Sequence, residues 1–73
     1  MERVYKGLNM AKNIHRSKEL DKHLGQKVKV TFWDNSIDEG ILEFGVDRYC
    51  NNRYSLNRQL FFRKTHVIKI EEV

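Results

Sequence analysis

The sequence predicts a mainly β fold: an N-terminal α-helix followed by five short strands in a small, strongly bent barrel. Three observations predict it. Residues 27–33 alternate apolar and polar side chains, which is the period of a half-buried strand. Asp34-Asn35 follows at once and supplies turn chemistry, because both residues bond locally to the backbone and tolerate positive φ. Gly40 then interrupts the next apolar stretch, as a glycine does at a strand bend or a close backbone approach.

The 73 residues have room for one domain. A domain of this size buries only about 60% of the surface its unfolded chain exposes. Stability therefore requires a dense core or apolar surface covered by other subunits. The chain has no Pro and one Cys, which excludes an intrachain disulfide and predicts a reducing compartment. No apolar run approaches the roughly 18 residues of a membrane span. No apolar segment of signal-peptide type opens the sequence. A cytoplasmic protein without a membrane role is the expectation.

Charge is unevenly placed. Residues 1–29 hold eight Lys/Arg and three acids, a net of +5, whereas residues 30–73 hold six basic and seven acidic residues, a net of −1. A positive field at the N-terminal side favours an anionic partner such as nucleic acid. The same cations also serve to keep a face solvated.

Residues 1–16 read as a basic arm and residues 17–73 as the barrel domain. Apolar positions at 10, 14, 20 and 24 share roughly one helical face. The helix ends near Leu24, where Gly25 provides the left-handed residue. Two starts fit: near Met10, or at Ser17, whose hydroxyl suits an N-cap for a helix over 18–24. In the first strand Val28, Val30 and Phe32 point one way. Residues 36–44 form the second strand, with Ile37 and Ile41 on one face and Leu42 and Phe44 on the other. Gly40 is expected to let the inward face change there. A polar loop spans 45–52. Short strands follow at 53–57 and 59–63, and a last strand at 67–73 turns Ile68 and Ile70 to one face.

The helix ending in Leu24-Gly25-Gln26-Lys27-Val28-Lys29-Val30, the Asp34-Asn35 turn, the glycine-bent second strand and the closing Val67-Ile68-Lys69-Ile70 resemble the Sm-like fold of the Sm, Lsm and Hfq-type proteins. The resemblance covers residues 18–72. Other SH3-type small barrels share the strand order and the bent second strand. In Sm proteins the stretch after the bend carries an Asp and an Asn that help build a uridine pocket, with a planar residue between them that stacks on the base. Here Asp47, Tyr49 and Asn51 match in order and mutual spacing, with Asp47 one residue further from Gly40 than the pattern has it. The second Sm signature, a basic residue followed by Gly before the last strand, is absent: this chain reads Phe62-Arg63-Lys64-Thr65-His66.

The resemblance implies a non-enzymatic module that binds RNA or single-stranded nucleic acid. Many Sm-like chains form rings through exposed edge strands, so it also implies a homo-oligomer. The binding candidates are Asp47, Arg48, Tyr49, Asn51, Arg53, Arg63 and Lys64, with Asn52 beside them. Aromatic side chains stack on unpaired bases and Arg or Lys holds phosphates. The competing reading makes 47–52 an ordinary turn. Trp33 stands on the outward face of the first strand, where it either anchors a protein partner or covers the helix or the arm.

An alternative function is a protein-interaction module, of the kind found in short accessory or phage-type chains that dock on a larger host protein. A third is an oligomer that sequesters a small nucleotide. No metal, cofactor or catalytic residue is expected. His15, His23, His66 and Cys50 lack compact ligand spacing, and Cys50 has no His near it in sequence.

Overall fold

Alternation decides the first strand. In the computed structural model, which describes residues 13–49 and 51–73, Lys27–Phe32 forms β1. Its Val28, Val30 and Phe32 are buried. Asn35 turns the chain at φ 71°. Asp34 Oδ1 steadies that turn by accepting from the Ser36 N–H at 3.0 Å and the Ser36 hydroxyl at 2.7 Å.

The chain returns as β2 (Ile37–Phe44), antiparallel to β1 from Thr31↔Ile37 to Lys27↔Ile41. Past Ile41, β2 changes partner. Leu42↔Leu56 and Phe44↔Tyr54 pair it with β3 (Tyr54–Leu56). β4 (Leu60–Phe62) adds to β3, and β5 (Val67–Glu72) adds to the far side of β1. The result is one five-stranded antiparallel sheet in the order β4-β3-β2-β1-β5. The sheet is not closed: β4 and β5 are its two edges.

Ser17 caps the helix as its chemistry predicts. Its Oγ accepts from the Leu20 N–H at 3.2 Å. The α-helix itself, α1, covers only Lys18–Asp21. Beyond it the chain tightens into turns with three-residue spacing, His23 N–H to Leu20 O and Gln26 N–H to His23 O. Gly25 ends them at φ 83° and donates its N–H to Leu42 O at 2.7 Å, which ties the helix exit to β2. A 3₁₀ turn at Asn13–His15 precedes α1. Residues 1–12 of the basic arm, the helix start near Met10 and Cys50 lie outside the described residues.

Leu20, Val28, Val30, Phe32, Leu42, Tyr54, Leu56 and Phe62 form the core, with Leu24, Phe44, Val67 and Ile70 packed against it. The sheet thus curls its inner face around Tyr54 and Leu42, and α1 covers it through Leu20.

Two expectations are corrected. The inward face of β2 does not switch at Gly40. Gly40 and Leu42 are buried, Phe44 packs on the core, and Ile37 and Ile41 are both exposed. The glycine answers a different need, a close side-chain approach: a Cβ on Gly40 would stand 2.7 Å from Asn57 Nδ2. In β5, Ile68 and Ile70 do not share a face. The β1–β5 register shifts between Thr31↔Lys69 and Phe32↔Val67. Ile68 is the extra residue of this bulge and is 60% exposed, while Val67 and Ile70 pack inward. No helix among the described residues is long and apolar enough to cross a membrane.

Candidate nucleic-acid interface

The loop between β2 and β3 is held at both ends before it presents anything. Gly45 adopts φ 70°, and its N–H donates to Arg53 O at 3.0 Å, closing the loop base. A Cβ there would meet Asn51 O at 3.1 Å, so the position suits glycine on both backbone and steric grounds. Inside the loop, Asp47 Oδ1 accepts the Tyr49 N–H at 2.7 Å. This local bond turns the chain and leaves the Tyr49 ring 85% exposed.

Tyr49, Asn51, Asn52, Arg53, Arg63 and His15 line one shallow cleft. Four of the sequence-predicted residues, Tyr49, Asn51, Arg53 and Arg63, therefore meet in space although 14 positions separate the first from the last. Lys64 stands next to them, in an adjoining hollow with Ile14, His15, Asn52, Arg63 and Thr65. Its ammonium already donates to Arg16 O at 3.0 Å. Asp47 and Arg48 stand beside the cleft rather than in its wall. Asp47 serves the turn, and Arg48 places its guanidinium carbon 5.9 Å from the Tyr49 ring centre.

Ion pairing separates the arginines. Arg16 pairs with Asp21 at 3.2 Å, and Arg58 forms a two-pronged contact with Glu43 at 2.8 and 3.2 Å. The Arg58 bond holds the Glu43 carboxyl below its usual pKa. Arg53 and Arg63 have no carboxylate within 4.0 Å among the described residues. Both guanidiniums thus retain their donors for an outside anion.

His15 belongs to the cleft and escaped sequence reasoning. It precedes α1 by three residues, whereas its neighbours come from the 45–53 loop and from Arg63. No local pattern reports such a contact. Its only sequence signal is a polar residue just ahead of a capped helix. Phe61 and His66 line a third hollow with Arg53 and Arg63, so the basic surface continues along the β4 side. Among the described residues, no three His, Asp or Glu side chains converge as a metal-ligand set.

Trp33 lies elsewhere. It follows β1, is 67% exposed, and tilts at 46° to the His66 ring with centres 6.5 Å apart. Its nearest ring belongs to the 3₁₀ turn Lys64–His66, whose His66 O also accepts the Trp33 N–H at 2.8 Å; residues 1–12 of the arm it is otherwise expected to cover lie outside the described residues.

Comparison with protein-family models, with curated proteins and with solved structures returned no significant match.

Proposed function

We propose that the chain is a non-enzymatic module that binds RNA or another single-stranded nucleic acid. One observation carries the reading: an 85% exposed Tyr49 shares a cleft with Arg53 and Arg63, both without an ion-pair partner among the described residues. An aromatic face beside unpaired guanidiniums suits a base and its flanking phosphates. Asn51 and Asn52 add amide donors and acceptors suited to base edges. The Sm-like assignment belongs to the same proposal. The strand order and the capped N-terminal helix support it, as do Asp47, Tyr49 and Asn51. The two uncovered edges β4 and β5 suit strand pairing between copies, which supports a homo-oligomer. The single Cys50 suits a reducing compartment such as the cytoplasm.

The test is fluorescence anisotropy of a labelled single-stranded RNA as a function of salt. The expected result is binding whose log K falls linearly with log salt, by about 0.7 for each phosphate neutralised. Absence of binding at low salt would reject the reading.

Trp33 supports a second reading, a protein-interaction module. A Trp this exposed, in a cleft that shares no lining residue with the basic one, suits an anchor for a partner.

A further inference from the structure

We infer that the cleft at Trp33 takes an arginine side chain from a basic segment of a partner protein. The inference rests on the second reading above and names the chemistry of its partner.

Phe32 and Phe62 form the floor, edge to face with ring centres 5.0 Å apart. Leu60, Trp33 and His66 wall it, and Asp34 and Asp38 stand on its rim. The floor is apolar and the rim is acidic, so an apolar anchor alone would leave two carboxylates beside it without a cation.

The charge of this region is set against that of the rest of the chain. From Val30 to Asp47 there are five acids and no Lys or Arg, in a protein of net charge +4. Glu43 pairs with Arg58. Neither Asp34 nor Asp38 has a Lys, Arg or His within 4.0 Å among the described residues. Their charge therefore complements a cation from outside.

Asp34 is also prearranged. Both Ser36 bonds fall on Oδ1 and hold the carboxyl below its usual pKa. Oδ2 is left to an incoming donor. A guanidinium lies flat on an indole face, where cation–π attraction acts, and its edge N–H groups reach carboxylates at the same time. An ammonium offers no such plane. Arginine thus fits the three surfaces together: apolar floor, indole wall and acidic rim.

Trp33 is the only Trp in the chain, so its emission reports on this cleft alone. The experiment titrates the 73-residue chain with an acetylated, amidated tri-arginine peptide and with its neutral citrulline counterpart. The expected result is a saturable change in Trp33 emission with arginine and at least tenfold weaker binding of citrulline. Asp34→Asn/Asp38→Asn, which keeps an acceptor for Ser36, should weaken arginine binding at least tenfold. Arg53→Ala/Arg63→Ala should leave it unchanged. Equal binding of the citrulline peptide would overturn the arginine assignment and leave Trp33 as a partner anchor. Arginine binding that survives Trp33→Ala in calorimetry would overturn both. Two further outcomes would give the cleft another occupant and also overturn the inference. One is an emission shift caused by Arg3→Gln/Lys6→Gln/Lys12→Gln without peptide, which would assign it to the chain's own arm. The other is a shift that follows protein concentration, which would assign it to a second copy.

Discussion

The Tyr54 hydroxyl donates a 2.6 Å hydrogen bond to Asp21 Oδ1. It also accepts the Ser17 N–H at 2.8 Å. Tyr54 is fully buried at the centre of the core, so one side chain fills the sheet and grips both ends of α1. Arg16 extends the contact, pairing with Asp21 and lying 4.4 Å above the Phe44 ring. Phe44 in turn packs edge-on against Tyr54 at 4.7 Å. The helix is a single turn and could not persist alone; this cluster is what holds it.

Tyr54→Phe keeps the ring and removes the hydroxyl. It should destabilise the fold by about 1.5–3 kcal/mol, the range for a hydrogen bond to a charged group. Urea denaturation of the two proteins measures it. A cost near zero would show that the helix is held by Leu20 packing instead.

The same hydroxyl predicts a pH dependence. Burial, and then the Asp21 acceptor, push its pKa to about 12, against about 10 for an unfolded tyrosine. The folded state thus favours the neutral phenol. That preference is fully present below about pH 10 and is lost as pH rises through 12. The stability difference between wild type and Tyr54→Phe should therefore shrink from pH 10 to pH 12. A constant difference would contradict the buried hydrogen bond.

Gly40 and Asn57 form a matched pair. Asn57 sits at φ 56° and its Oδ1 accepts the Ile41 N–H at 2.9 Å, so its side chain is not free to retreat. Gly40→Ala should cost about 1–3 kcal/mol, as overpacking does. Asn57→Gly keeps the positive φ accessible and empties the space. The double variant should lose less stability than the sum of the two single changes. Strict additivity in denaturant titrations would show that the contact is not felt.

The arginines should separate by their ion pairs. Arg53→Ala and Arg63→Ala should each lower the salt slope of single-strand binding by about 0.7. Arg58→Ala should leave it unchanged, because Glu43 occupies that guanidinium. Equal effects at all three positions would point to diffuse attraction rather than a cleft.

What the sequence made legible was local. The alternation of Val28, Val30 and Phe32, the Ser17 cap, the left-handed Gly25 and the Asp34-Asn35 turn each depend on a few neighbouring residues. The features that escaped depend on contacts across the fold. The Ile68 bulge is set by the register of β1 against β5. Gly40 is explained by Asn57, 17 positions later. Asn57 and Arg58 both adopt positive φ (56° and 57°) in the β3–β4 turn without a glycine to announce it. The candidate cleft divides the same way. Tyr49 and Asn51 were readable as a loop pattern. His15 was not, nor was the sorting of arginines into paired and unpaired.

The most direct measurement compares Tyr49→Ala and Tyr49→Phe in single-stranded RNA binding. Tyr49 is 85% exposed and belongs neither to the core nor to the residues packed against it, so both variants should fold as wild type by circular dichroism. Tyr49→Ala should weaken binding by about 1–3 kcal/mol, the loss expected for one stacked base. Tyr49→Phe, which retains the ring, should bind as wild type. Unchanged affinity in Tyr49→Ala would contradict the stacking role on which the proposed function rests.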